Sequence, residues 1–262
     1  MIVLKALALG IVEGITEFLP ISSTGHLIIA SAIINYPEAS RETFEIFIQL
    51  GAILAVVWHY WKPLLGLVER APAEQQSRDL IGKVVLAFVP AAIVGFLFHH
   101  FIEEHLFSPT VVAATLMAGG VIIILIERRS LHFEVRDIGE TRWLQALWVG
   151  LAQVLSLIPG VSRAGATIIG GMLAGLNRPA STQFSFYLSI PTMFAASLYS
   201  LFKARHLLTI HEAVPLGIGF VAAFVSALIV VRVFINFVQR HDFTGFGYYR
   251  ILAGLTILLL LG

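Results

Sequence analysis

Glu13-Gly14-Ile15-Thr16-Glu17-Phe18-Leu19-Pro20-Ile21-Ser22-Ser23-Thr24-Gly25-His26 sets two carboxylates, three consecutive hydroxyls and an imidazole into the middle of an otherwise apolar stretch, residues 2–35. A second apolar stretch, 143–177, is interrupted in the same manner by Pro159-Gly160-Val161-Ser162-Arg163-Ala164-Gly165. The chain is 58% hydrophobic with a mean hydropathy of +0.88, so these stretches read as bilayer segments. An acid or arginine at the centre of a membrane helix costs roughly 2.5–3.5 kcal/mol. Charges kept at that cost imply a buried polar site, and the function is expected there.

Outward from these two breaks, six apolar runs are long enough to cross a hydrocarbon core of about 30 Å: residues 43–61, 80–101, 110–127, 181–202, 215–238 and 246–262. The interrupted stretches have about 34 residues each, too few for two full spans, and their proline and glycine breaks end helices. They are expected to be re-entrant helix pairs, with non-helical backbone that membrane depth tolerates only inside protein or beside a wet cavity. The expected fold is an all-α polytopic membrane protein: a single integral domain, 1–262, of six transmembrane helices plus two re-entrant pairs.

The halves echo one another. Pro20-x-x-Ser23-Thr24 aligns with Pro159-x-x-Ser162-Arg163 at an offset of 139, while Phe44, Phe47 and Ala55 match Phe184, Tyr187 and Ala195 at an offset of 140. Each half reads as a broken pair followed by three spans. Three is odd, so residues 1–140 and 141–262 are expected to be inverted-topology repeats with discontinuous helices meeting near mid-depth.

Charge orients the scheme. One face collects Lys62, Arg70, Arg78, Lys83, Arg128, Arg129, Arg136, Arg142, Arg178, Arg232, Arg240 and Arg250; the other has Lys5, Arg41, Lys203 and Arg205, with Arg163 set apart as intramembrane. By the positive-inside rule, 62–79, 128–142 and 239–245 are cytoplasmic, and both termini and loop 102–109 are outside. The net charge of +1 and scattered basic residues exclude a nucleic-acid partner. The absence of cysteine excludes disulfides and thiolate metal sites. The first apolar run holds two glutamates and lacks a small-residue cleavage site, so it reads as mature structure.

Glu13 and Glu17, at i and i+4, project from one helix face and repel. A bound cation, a shared proton or Arg163 must compensate. Mg²⁺ is suited to one or two carboxylates plus substrate phosphate. Ser22, Ser23 and Thr24 follow Pro20 as an N-cap series, and free amides at a half-helix N-terminus attract anions. His26 lies three residues after Ser23 and could act on a hydroxyl as a base. Ser162-Arg163 repeats the device with a planar fork suited to phosphate. Gln49 and Gln153 read as interhelical hydrogen-bonders, and Gly10/Gly14 and Gly171/Gly175 as close helix contacts. Trp58, Trp61, Trp143, Trp148, Tyr248 and Tyr249 read as interfacial anchors. His99, His100, Glu103, Glu104 and His105 read as a solvated loop.

With these segments in view, the chain resembles the undecaprenyl-diphosphate phosphatases of the bacitracin-resistance family. EGITEFLPISSTGH matches the family's first motif, and PGVSRAGATI its second, with Val161 and Ala164 where the family carries hydroxyls. FEIFIQLGAILAV, FSFYLSIPTMFAAS and YYRILAG also fit, so the likeness spans the chain. The resemblance implies hydrolysis of undecaprenyl diphosphate to the monophosphate and phosphate. It also implies a divalent metal (Mg²⁺ or Ca²⁺), a polyprenyl diphosphate lipid as partner, and residence in the bacterial inner membrane with the site open to the extracytoplasmic side. Carried over by position, Ser23, His26, Glu17 and Arg163 are expected as catalytic, Ser22, Thr24, Ser162 and Arg163 as phosphate-binding, and Glu13 and Glu17 as metal ligands. A transporter or flippase of a phosphorylated polyprenyl lipid is the alternative, since broken helices and inverted repeats also serve carriers. Assembly as a homodimer is left open.

Overall fold

Both interrupted stretches break where their proline and serine residues require it. In the computed structural model, which describes residues 1–204 and 213–261, helix α1 (Ile2–Thr16) stops at Glu17. The chain then runs non-helically through Pro20, and α2 (Ser23–Ile34) restarts with Ser22 as its N-cap. Ser22 has φ +69° and its side chain accepts from the Gly25 amide at 3.4 Å. In the second half, α7 (Trp143–Val154) passes into a 3-10 turn (Leu155–Leu157), and α8 (Arg163–Leu173) restarts with Ser162 as N-cap. Ser162 has φ +75° and accepts from the Gly165 amide at 3.1 Å. A serine in this φ region is strained, and such strain persists where the surroundings over-determine it. The same strained cap recurs 140 residues on, so Ser22 pairs with Ser162 and Ser23 with Arg163. The break motifs therefore match at 140, correcting the 139 suggested by the prolines.

The remaining helices are α3 (Glu38–His59), α4 (Trp61–Arg70), α5 (Gln75–Leu106), α6 (Pro109–Glu127), α9 (Arg178–Ala204), α10 (Ala213–Val238) and α11 (Thr244–Leu261). Among the described residues, α5, α6, α9 and α10 are long and apolar enough to cross a membrane on their own. The α3 run is bent by 68° into α4. Helix α4 carries Lys62, Glu69 and Arg70, buries none of its residues, and occupies part of the expected loop 62–79. Helix α11, 18 residues, is the shortest of the six expected crossings. Loop 102–109 shrinks to Phe107 and Ser108, because α5 runs on to Leu106. Arg205 and Gly262 lie outside the described residues.

The two halves interlock. Helix α1 packs on α10 of the other half, and α7 packs on α5 of the other half. Helix α3 meets α9 in the middle, and α6 meets α11. Glycine makes the first of these contacts close: a Cβ on Gly10 would lie 2.3 Å from the Gly219 carbonyl, and one on Gly14 would lie 2.1 Å from Ser226 Oγ. Gly171 likewise sits against Ser181, with a Cβ–Oγ approach of 2.8 Å. Gly175 does something else. At φ +96° it turns the chain out of α8, and its amide and carbonyl bond Met172 and residues 134 and 135. The two expected glutamine links are present, Ser197 to Gln49 at 3.5 Å and Thr192 to Gln153 at 3.2 Å, both reaching α9.

The largest buried cluster runs from Phe18 in the first break through Ala164 and Ile168 of α8 to Phe184 and Phe186 of α9. A stripe of buried hydroxyls, Ser181, Ser185 and Ser189, follows one face of α9 at i, i+4 and i+8. Ser185 of this stripe meets Arg163 and Thr167 of the second half, offering them hydrogen-bonding groups away from water.

Candidate active site

Glu17 closes α1 and is 7% exposed. Its Oε2 accepts the Ser23 hydroxyl at 2.6 Å, and its Oε1 accepts Arg163 Nη2 at 3.0 Å. One carboxylate therefore joins a hydroxyl from the first break to a guanidinium from the second, 146 residues away in sequence. The expectation that the two tips face one another holds in this geometry, since Glu17 joins them. Arg163 is steadied by three further groups: the Ser185 carbonyl at 3.4 Å, Ser185 Oγ at 3.5 Å, and the Met193 sulfur at 3.3 Å. Its guanidinium carbon stands 5.5 Å from the centre of the Phe18 ring. Thr167 and Ser185 share a hydrogen bond of 2.6 Å behind it.

Two buried groups in this cluster lack partners. Arg163 Nε–H has no acceptor, and Glu13 Oε2, in a residue 1% exposed, has no donor. A buried polar group without a partner carries a desolvation cost of about 1–3 kcal/mol, more when charged. An open donor and an open carboxylate oxygen are what an anionic ligand accompanied by a cation would satisfy. Among the described residues no three His, Asp or Glu side chains converge as metal ligands. Each Glu17 oxygen accepts one hydrogen bond and keeps a lone pair. A divalent cation would be held by the open Glu13 oxygen, with Glu17 beside it and substrate oxygens completing its shell, which is the habit of Mg²⁺ at phosphate sites.

His26 does not pair with Ser23. Its Nδ1 is 2.7 Å from the Ser22 carbonyl, and its Nε2 is 2.6 Å from the Tyr249 hydroxyl. A carbonyl only accepts, so Nδ1 carries the hydrogen, and in the neutral ring the Tyr249 hydroxyl donates to Nε2. The acceptor for the Ser23 proton is Glu17, so the expected Ser23–His26 pairing gives way to Ser23–Glu17. The reason is geometric: on the first turns of α2, Ser23 faces back along the break while His26 faces α11. Ser22 and Ser162 act as caps, and Thr24, half-buried, begins the first turn of α2. Ala164, where the resembled family has a hydroxyl, is fully buried and needs none.

Sequence reasoning missed two residues on α11. Tyr249, read as an interfacial anchor, holds His26. Arg250, assigned to the cytoplasmic face, is 1% exposed and donates to carbonyls of both breaks. Removing it from the orientation tally leaves eleven basic residues against four. The signal was present: an arginine inside an apolar run is itself the mark of a buried site. At the other end of the molecule, His100 and His105 each approach Glu104 on exposed surface, and no metal cluster forms there among the described residues. The side chain of Glu103 lies outside what the structure describes.

Known proteins are similar to this chain along nearly its whole length. The chain is 51% identical to an undecaprenyl-diphosphatase of Nitrosomonas europaea, over 99% of this chain and 94% of that protein. It is 50% identical to undecaprenyl-diphosphatase 2 of Rhodospirillum rubrum, over 97% and 93%, and 48% identical to the undecaprenyl-diphosphatase of Aromatoleum aromaticum, over 97% and 92%. The profile of the family described as bacitracin resistance protein BacA matches residues 6–256. With both breaks inside the matched region and relatives at about half identity along nearly its full length, this chain belongs to the bacitracin resistance protein BacA family.

Proposed function

We propose that this chain hydrolyses undecaprenyl diphosphate to undecaprenyl phosphate and inorganic phosphate. The reaction recycles the lipid carrier of cell-wall synthesis and confers bacitracin resistance by consuming a diphosphate lipid. The observation that carries this reading is the bridging of Ser23 and Arg163 by Glu17. A carrier of an anionic lipid needs the cation; it has no need of a serine hydroxyl held on a carboxylate. Three relatives at 48–51% identity are named for the same reaction.

The site residues divide the work as follows. The terminal phosphate is received by Arg163, whose unpartnered Nε–H and planar fork suit phosphate oxygens. Ser23 Oγ attacks the terminal phosphorus in line, and its proton passes to Glu17. The bridging P–O bond breaks and undecaprenyl phosphate leaves with the electron pair. Water then opens the phosphoserine, giving up a proton to His26 Nε2 once the Tyr249 hydroxyl turns away from that nitrogen, and Ser23 recovers its own from Glu17. The His26 proton returns to solvent with release of phosphate. Positioning and charge neutralisation supply most of the rate in this reaction class. A divalent cation, Mg²⁺ or Ca²⁺, held by Glu13 beside Glu17, would draw charge from the diphosphate oxygens.

The protein belongs, in this reading, to the bacterial inner membrane, with both termini outside and the first break opening to the extracytoplasmic side. Eleven basic residues against four support that orientation. The recurrence of the strained serine cap at an offset of 140 supports 1–140 and 141–262 as inverted repeats.

Phosphate release from undecaprenyl diphosphate by the purified protein in detergent, with and without a chelator, tests the reading. Release that stops with chelator and returns with Mg²⁺ or Ca²⁺ is expected. A folded protein that releases no phosphate overturns the hydrolase reading. Undiminished release in chelator removes the cation alone.

A further inference from the structure

We infer that Arg250 is a positioning residue: it fixes the spacing of the two breaks and so the placement of Ser23 against Arg163. A guanidinium has five N–H donors, and all five of Arg250 are used on backbone carbonyls. Nη1 donates to Pro20 at 3.1 Å and Val161 at 3.0 Å. Nη2 donates to Gly160 at 3.1 Å and Thr115 at 3.3 Å, and Nε donates to Leu116 at 3.3 Å. Pro20 belongs to the first break, Gly160 and Val161 to the second, and Thr115 and Leu116 to α6. No carboxylate is among these partners. The Thr115 hydroxyl adds a separate tie, donating to the Pro159 carbonyl at 2.6 Å.

The physical need is specific. Breaking a helix inside the membrane frees carbonyls that cannot find water, each costing several kcal/mol if left unsatisfied. Here the freed carbonyls of both breaks crowd together, where they would repel one another and the incoming diphosphate. A planar cation between them cancels both repulsions and holds the two backbones at one separation. Lysine cannot do this, because its point charge has three donors and no fixed fork. The carbonyls concerned lie within two residues of Ser22 and Ser162, the two strained caps, so their separation passes directly to Ser23 and Arg163. Gly119 and Gly165 leave room for the group: a Cβ at Gly119 would lie 2.2 Å from Nη2 and 2.8 Å from Cζ, and one at Gly165 would lie 3.2 Å from Nη1.

The kinetic part of the test rests on the phosphatase reading above, which wild-type phosphate release checks by itself. Arg250→Lys keeps the charge and leaves at least two carbonyls without donors, while Gly119→Ala displaces the guanidinium with Arg250 still present. In purified protein assayed well below its unfolding temperature, kcat should fall roughly 10²-fold in Arg250→Lys, the scale of a misplacement of about 1 Å. It should fall roughly tenfold in Gly119→Ala, with KM changed by less than about threefold in both. A role confined to stability would lower the unfolding midpoint and leave kcat of the folded protein untouched. Wild-type kcat in a folded Arg250→Lys protein overturns the proposal. If that variant does not fold, wild-type kcat in Gly119→Ala overturns it. Failure of both to fold also does so, since Arg250 would then hold the whole domain and not the two breaks. A second measurement needs no turnover: spin labels on Leu19→Cys and Val161→Cys should give one narrow distance with Arg250 and a broadened distribution with Arg250→Lys. An unchanged distribution contradicts the inference even if the protein hydrolyses nothing.

Discussion

Glu17 accepts from Ser23 on one oxygen and from Arg163 on the other, and in a neutral amide one of those two atoms becomes a donating NH₂ that faces a donor. Glu17→Gln should therefore leave a folded protein whose turnover falls roughly 10²-fold or more, the usual contribution of a positioned proton acceptor. Phosphate release at saturating lipid measures it, and a near-normal rate would return the serine proton to another group. Glu13, Glu17, Ser23 and Arg163 were legible in the sequence because charge in an apolar stretch has few innocent explanations. Their pairing was not. Helical spacing reports only neighbours on one helix, so it joined Ser23 to His26 and could not see Glu17 turn back across the break. Tyr249 and Arg250 were hidden for a different reason: at the start of an apolar run, an aromatic and a cation look like an interfacial belt and a cytoplasmic charge.

The helices themselves were easier to read than their ends. Six apolar runs and two broken ones correspond to observed helices, because length and hydropathy are local properties. The bend of 68° between α3 and α4 and the reach of α5 to Leu106 were not foreseen. Nothing in an apolar run says where packing allows a helix to continue. The glycines of α1 carry the contact between the halves, and this gives a paired test. Gly14→Leu would drive a side chain into Ser226 and the Ala223 carbonyl, 2.1 and 2.4 Å from the new Cβ. Overpacking of this kind costs about 1–3 kcal/mol, so the thermal midpoint in detergent should drop. Gly217→Ala, on α10 with no atom within 4 Å of its Cβ, should leave the midpoint within experimental error. Equal midpoints for the two variants would mean that the α1–α10 contact is not close.

At the scale of the whole molecule the account requires an orientation and a single composite site. Cysteine is absent from the chain, so Glu104→Cys and Ser130→Cys, both exposed positions, can be labelled one at a time with an impermeant thiol reagent on intact cells. Position 104 should react and position 130 should not; the reverse pattern would invert the topology. The fold class could be read from the lengths of the apolar runs and the breaks in them, whereas the interlocking of α1 with α10 and α7 with α5 could not, since it depends on contacts between residues far apart in sequence. The central claim is that two breaks, one from each half, make one catalytic unit. A double-mutant cycle on kcat with Glu17→Gln, Arg163→Lys and the pair combined tests it most directly, because residues acting as a unit are strongly non-additive. The account predicts that the double variant loses little more than the worse single variant. Losses that multiply, as for two independent groups, would contradict it.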